Sequence, residues 1–285
     1  MHSTQYCPLI DNRSRYESDG VKKRTMDQLV MSLISTIIDI YILLLFVRLF
    51  VRGNERYDAL FGMVYKATDP VVSPLGTAVR VGRTNLAPAL VIIVLLLLKG
   101  MLWGSIPRTL QSFANTLFQL YVLIIIIISG FREFYINPIA NFGQRIVNPV
   151  RAVAANFSRQ IVTVNLLSVL LLVIAHTIVT LVLNAMLGGV GPLPVKAALL
   201  FSLSLIVSLT WFFTYVIIIN ALLSWVSPDP LNPVVQLITL ISAPIIDPVR
   251  RYIPPIGGMV DISPIIAILA LQVANAIGHG FLAVL

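Results

Sequence analysis

Long apolar runs, broken by short polar connections, set the rhythm of this chain. A membrane-crossing helix needs about 20 mainly apolar residues, because the hydrocarbon core is about 30 Å thick and each helical residue advances about 1.5 Å. Six stretches meet that need, at 29–51, 86–104, 110–131, 162–187, 197–226 and 262–283. The third holds the uninterrupted run Ile124–Ile128, and the fifth has no formal charge. The fifth is also longer than one straight crossing requires, which predicts tilt or an interfacial end. Asp39 interrupts the first stretch and Arg48 closes it. Residues 1–25 are polar, carry Asp11, Arg13, Arg15, Glu17 and Asp19, and show no periodicity. They predict a disordered extension, with Met26 as an alternative start. Lys22-Lys23-Arg24 resembles the head of a signal peptide, but the apolar run is too long and no small-residue cleavage site follows it.

Between the spans lie shorter segments with helical spacing. Tyr57, Leu60, Phe61, Val64 and Tyr65 share one helical face, as do Ile139, Phe142 and Ile146, and Val234, Leu237, Ile238 and Ile241. Each predicts an amphipathic helix lying at the interface, apolar side down. Asn137 and Asn232 stand where N-caps belong, each before a proline. Pro149 and Pro244 are expected to end these helices, since proline cannot continue the hydrogen-bond ladder. Asn165 and Asp261 are expected to cap the spans that follow.

The same layout recurs. Thr68-Asp69-Pro70-Val71-Val72-Ser73-Pro74 matches Ser242-Ala243-Pro244-Ile245-Ile246-Asp247-Pro248 at an offset of 174, which also sets Tyr41 on Tyr215. Asn85-Leu86-Ala87-Pro88 and Asp261-Ile262-Ser263-Pro264 then each open a span. A weaker copy lies between them. It comprises Tyr121, Asn137-Pro138, Pro149 and Asn165, with Val153 where its second proline belongs. The predicted architecture is therefore an all-α membrane protein of about six transmembrane helices in three parallel two-helix units, each with an interfacial amphipathic helix. The expected division is 1–25 as the extension, 26–104 as the first unit, 105–190 as a degenerate middle unit and 191–285 as the last.

Composition sharpens this. Hydrophobic residues make up 58% of the 285 and charged residues only 11%, against about 45–50% and about 25% in soluble domains. A soluble enzyme, a secreted disulfide scaffold and a disordered tail are excluded. The single cysteine, Cys7, permits no internal disulfide or zinc cluster. A net charge of +8 points to no nucleic acid, because the basic residues gather in short connections. The connections 51–85, 132–161 and 227–261 hold eleven of them: Arg52, Arg56, Lys66, Arg80, Arg83, Arg132, Arg145, Arg151, Arg159, Arg250 and Arg251. Arg108 and Lys196 lie on the opposite side. The positive-inside rule then puts the connections in the cytoplasm and both termini outside, although the basic residues of the N-terminal tail argue the other way.

The last copy continues through Val249-Arg250-Arg251-Tyr252-Ile253-Pro254-Pro255-Ile256-Gly257-Gly258-Met259-Val260-Asp261-Ile262-Ser263-Pro264. This resembles the YggT family (YlmG-like) of integral membrane proteins, marked by D-P-x-x-x-P-x-R-R followed by P-x-x-G-G-x-D-x-S-P. Ala243 stands where that family often has aspartate, and one residue is added before Asp261. In the first copy Asp69, Pro70 and Pro74 remain, while Val79-Arg80-Val81-Gly82-Arg83 replaces the arginine and glycine pairs. The family usually shows two such units, so the middle copy is an insertion or a third, degenerate unit. The resemblance implies an inner-membrane assembly or stress factor. Bacterial members are linked to osmotic-shock tolerance, ion homeostasis and cell division, and chloroplast relatives to haem attachment in cytochrome b6 maturation. It implies no reaction.

Candidate chemistry is sparse. Asp39, in mid-span, is either a functional intramembrane carboxylate or a neutral acid near a water-filled dip, with Lys99 as its expected partner. Arg250, Arg251, Arg80 and Arg83 either touch anionic lipid headgroups or serve as topology signals alone. Gly257-Gly258 is a turn feeding a capped span, since no lysine–serine pair follows. His176 and His279 lie in spans, where two histidines can ligate haem. Without a second pair or a Cys-x-x-Cys-His motif, hydrogen bonding between helices is the expected role, and Asn184, Asn220, Gln272 and Asn275 read the same way. No nucleophile–base pair, metal cluster or cofactor loop can be assembled, so neither enzyme activity nor a cofactor is expected. The expected partners are the lipid bilayer and other membrane proteins. A small ion transporter or channel subunit is the rival reading, on Asp39, the buried amides and the parallel repeat.

Overall fold

The computed structural model describes residues 9–51, 55, 59–74, 80–81, 84–130, 138–187, 193–226, 229–253 and 261–285. These are almost wholly helical. In chain order they form α1 (Leu9–Phe50), α2 (Ala59–Val72), α3 (Ala87–Leu102), α4 (Ile106–Gly130), α5 (Pro138–Ala155), α6 (Ile161–Met186), α7 (Val195–Val207), α8 (Thr210–Val226), α9 (Pro233–Tyr252) and α10 (Ser263–Val284). Before α3, Arg80–Val81 pairs antiparallel with Thr84–Asn85.

Six helical stretches are long and apolar enough to cross a membrane: Gln28–Phe50, Ile106–Ser129, Ile161–Met186, Val195–Val226, Pro233–Tyr252 and Ser263–Val284. Large apolar side chains such as Leu33, Ile37, Leu166, Leu269 and Phe281 stand exposed along them. A water-facing surface does not carry such stripes, whereas acyl chains accept them. The chain is thus an all-α protein with the helices of a multi-pass membrane protein.

Several boundaries differ from expectation, each for a physical reason. α1 already begins at Leu9, inside the segment expected to be disordered, because extending an existing helix upstream adds one hydrogen bond per residue without a new nucleus. The second expected span is only the 16-residue α3. It stops at Trp103, whose N–H bonds to Lys99 O at 3.0 Å, and the backbone then turns through Gly104 at φ +73°. Residues 197–226 form α7 and α8, interrupted at Ser208–Leu209, while Val195–Val226 together remain one stretch long and apolar enough to cross. Pro149 and Pro244 do not end their helices. Pro70, Pro149, Pro244 and Pro248 all lie inside helices and all on exposed faces. A carbonyl freed on an exposed face is not sealed in the protein core, so the helix continues through the proline. Asn232 caps α9 through Val234 N at 2.9 Å, while Asn165 lies inside α6, one turn past the capping position Gln160. Asn137 is outside the described residues.

The chain divides into two compact units, Met1–Trp103 and Gly104–Leu285. In the first, Ile42, Leu45 and Phe46 of α1 are buried at i, i+3, i+4 spacing, together with Phe61 and Val72 of α2 and Val91, Ile92 and Leu96 of α3. In the second, Ile125, Ile127 and Ile128 of α4 pack with Ala140 and Val147 of α5, Val216 of α8 and Ile241 of α9. Ile217, Ile246 and Ala267 tie α8, α9 and α10 together. α10 approaches α7 so closely that a Cβ on Gly278 would sit 2.8 Å from Val207 Cγ1. Between helices in lipid such close packing, rather than release of water, supplies the attraction.

Candidate functional site

Two kinds of polar site emerge from this frame. The first kind ties a connection helix to a span through an arginine. Arg48, near the end of α1, donates from Nη1 to Thr68 Oγ1 at 2.6 Å and from Nη2 to Asp69 Oδ1 at 2.6 Å. Its guanidinium lies 4.6 Å from the centroid of the Tyr65 ring. Arg48 is 9% exposed, so this clamp is nearly shut off from solvent. Thr68 can serve it because its hydroxyl donates to Val64 O at 2.6 Å, leaving its lone pairs for the arginine.

The junction of α9 and α10 builds a second arginine clamp. Arg250 donates from Nε to Asp261 Oδ2 at 2.7 Å, with Nη2 also at 2.7 Å, while Asp247 stands 3.7 Å from Nη1. Asp261 Oδ1 accepts the Ser263 N–H at 2.9 Å, and Ser263 Oγ reaches Ile253 O at 3.4 Å. Ser263 and Pro264 are buried at the head of α10. Partial burial pushes the Asp261 carboxyl up, but hydrogen bonds from the Ser263 side chain and backbone and from Arg250 outweigh it and hold the pKa below the ordinary value. Asp261 therefore anchors the end of α9 to the start of α10.

The second kind lies within the apolar helices. Lys99 Nζ sits 2.5 Å from Asp39 Oδ1, with the lysine 8% exposed and the aspartate 52% exposed. In the second unit His176 is buried between α4 and α7. Its Nδ1 is 2.8 Å from Ser202 Oγ, its Nε2 3.0 Å from Asn115 Oδ1, and its ring stacks on Phe118 with centroids 4.4 Å apart. Gln111 extends the chain to Asn115 and to Thr180. At the α7–α8 break, Asn275 donates to Thr210 Oγ1 at 2.6 Å, Gln272 to Thr214 Oγ1 at 3.1 Å, and Gln119 to Leu205 O at 3.3 Å. These amides span the break and bind helices to one another.

The sequence-derived candidates thus fall into groups. Asp39 and Lys99 are brought together, as are Arg250 and Asp261. Arg250 and Arg251 are not equivalent, since the former is occupied and the latter is exposed without a partner among the described residues. Pro70, Pro244 and Pro248 line exposed helix surface, Pro74 is exposed in the turn after α2, and Asp247 is half-exposed. Arg80 lies in the two-residue strand, and Arg83, Gly257 and Gly258 are outside the described residues. Sequence reading missed the Arg48 clamp. The available signal is that Arg48 closes an apolar run just ahead of a Thr-Asp-Pro motif.

Apolar helices long enough to cross a membrane, tied to their neighbours by arginine clamps, place the chain among multi-pass helical membrane proteins. Within that class, the sequence pattern of the CCB3/YggT family matches residues 28–106 and 199–282. The chain belongs to this family. It is 32% identical over 170 residues to the uncharacterized protein PA0392 of Pseudomonas aeruginosa, covering 56% of this chain and 83% of that one. It is 30% identical over 175 residues to an uncharacterized protein from the proC 3' region of Vibrio alginolyticus (59% and 92% covered). It is 27% identical over 180 residues to the uncharacterized protein YggT of Escherichia coli strain K12 (59% and 88%). No solved structure matches the chain.

Proposed function

We propose that this chain is a non-enzymatic inner-membrane protein that acts as an assembly or scaffold factor in osmotic-stress tolerance or ion homeostasis. One observation carries the reading. Several intramembrane polar groups satisfy each other across helices: Lys99 with Asp39, His176 with Ser202 and Asn115, Asn275 with Thr210. Groups engaged in this way hold helices in register and leave few donors or acceptors to line a solute path. The amphipathic connection helices lie at the interface in this reading, with anionic lipids and other membrane proteins as partners. The α7–α8 break favours the second reading, a small ion transporter or channel subunit, because interrupted spans often line ion sites.

Two measurements separate these readings. Crosslinking in native membranes followed by purification should retain a stoichiometric membrane-protein partner. Purified protein in liposomes should leave a potassium gradient decaying at the protein-free rate, and faster decay would replace the scaffold by the transporter. The basic connections should face the cytoplasm and the termini the outside. A cysteine placed at Arg159, in a Cys7→Ser background, should therefore resist an impermeant maleimide on intact cells. Labelling from the outside alone reverses the orientation.

A further inference from the structure

The first span carries a polar line on its outer surface. From Leu29 to Leu43 of α1, the exposed polar side chains are Ser32, Thr36 and Asp39. With the exposed Leu29 and Leu43 they form one seam, spaced alternately three and four residues apart. This is the a and d spacing of a two-stranded coiled coil. The seam runs about 21 Å along the helix. It ends where the next d position, Phe46, turns into the protein and is buried. Asp39 makes this line costly to leave bare. Lys99 donates to its Oδ1, yet the side chain is 52% exposed and Oδ2 has no partner among the described residues. Acyl chains offer such an oxygen no donor.

The internal repeat shows what kind of element fills such a position. At an offset of 80, Ser32, Ser35, Thr36, Asp39 and Tyr41 fall on Ser112, Asn115, Thr116, Gln119 and Tyr121 of α4. The two copies share local geometry. Thr36 Oγ1 donates to Ser32 O at 2.9 Å, and Thr116 Oγ1 to Ser112 O at 3.0 Å. On α4, Gln119 reaches beyond the α4–α6 hairpin and donates to Leu205 O of α7 at 3.3 Å. A third helix therefore sits at the Gln119 position. The matching Asp39 meets only α3 among the described residues.

We propose that a second copy of this chain supplies the third helix, its α1 packing in parallel on this seam. Copies inserted in one orientation hold equal residues at equal depth, and a two-fold axis along the membrane normal makes the contact self-complementary. In knobs-into-holes packing each d side chain lies beside an a side chain of the facing helix. Asp39 of each copy thus meets Thr36 of the other. The Thr36 hydroxyl can turn from Ser32 O to the open Asp39 Oδ2. A neutral donor is the fitting one, because Asp39 and Lys99 already cancel and a further cation would leave net charge in the apolar layer. The two carboxylates approach across the axis, each neutralised by its own buried Lys99. Ser32 and Thr36 are also small enough to let the two backbones come close. The inference rests on the membrane setting of the proposed function, and on neither the scaffold nor the transporter reading.

The test uses the full-length chain in a Cys7→Ser background, with single cysteines oxidised by copper phenanthroline in membranes. Leu29→Cys, Ser32→Cys and Leu43→Cys should each give a disulfide-linked dimer. Ile34→Cys and Ile37→Cys should not, although both native side chains are exposed, because they lie off the seam. A second measurement isolates the hydroxyl. Thr36→Val keeps the side-chain shape and leaves Asp39 paired with Lys99. Energy transfer between labelled copies in liposomes, over a range of protein-to-lipid ratios, should then give a dimer dissociation constant about seven-fold above wild type, the effect of two interhelical hydrogen bonds. Ile37→Val should leave the constant unchanged. Equal crosslinking on and off the seam, only monomer at the seam, or an unchanged constant in Thr36→Val each overturns the proposal. A seam crosslink to a different protein in place of the dimer overturns the second copy as the occupant. The energy-transfer measurement contains this protein alone and no ion gradient, so the dimer and the scaffold reading fail separately.

Discussion

Asp39→Asn should destabilise the first unit by about 3 kcal/mol and lower the yield of monodisperse protein in membranes. The figure is the low end of the range for breaking a buried ion pair. It sits there because Asp39 is half-exposed whereas Lys99 is 8% exposed. The asymmetry fixes which substitution harms more. Removing the aspartate charge strands an ammonium among Val91, Ile92 and Leu96 on the buried face of α3. Removing the lysine charge leaves the half-exposed Asp39 carboxylate, which the protein does not enclose.

A three-variant series follows. Asp39→Asn should be worst, Lys99→Met intermediate, and the double variant better than Asp39→Asn alone, because it contains no unpaired charge. Fluorescence-detected size exclusion of tagged protein provides the ranking. If the double variant is no better than the worse single, the pair does not act as a unit. Asp39 then becomes a candidate for the ion path required by the transporter reading.

The class of fold is legible in the sequence because lipid imposes a coarse rule: each crossing must be apolar for about 20 residues and satisfy its own backbone. The contact of Asp39 with Lys99 is legible for a related reason. Few charges lie inside the apolar stretches 29–51 and 86–104, and the depths of Asp39 and Lys99 along opposed spans nearly agree. What is not legible follows from properties that residue spacing does not carry. Proline reads as a stop, yet Pro244 and Pro248 fall one turn apart on an exposed stripe, and α9 runs through both. The break at Ser208–Leu209 has no glycine or proline to announce it. It depends on amides from elsewhere in the unit, Gln119 and Asn275, meeting the carbonyls of Leu205 and Val207.

The arginine pair shows the same limit at the site. Arg250 and Arg251 are neighbours in sequence and look interchangeable, but a helix sends successive side chains about 100° apart. One is therefore turned to Asp261 while the other points away. Charge pattern alone locates the cluster, and only the helix phase decides which member is bound.

Arg48→Ala should release α2 from the end of α1. Arg48 makes two charge-assisted or short hydrogen bonds, to Asp69 and Thr68, and covers the Tyr65 ring at 4.6 Å. All three partners lie on α2, so one side chain holds one helix. Breaking such a buried, forked contact costs about 3 kcal/mol, close to a hundred-fold in the opening equilibrium. Amide exchange over Ala59–Val72, followed by mass spectrometry in detergent, should accelerate by that order, while the α3 amides change little. Arg48→Lys separates charge from geometry. A lysine keeps the attraction to Asp69 but cannot fork to Thr68 or stack flat on Tyr65, so its exchange should fall between wild type and alanine. Unchanged protection of α2 in Arg48→Ala would mean that Phe61 and Val72, buried on the same helix, hold it in place by packing alone. The clamp would then be a consequence of the docking and not its cause.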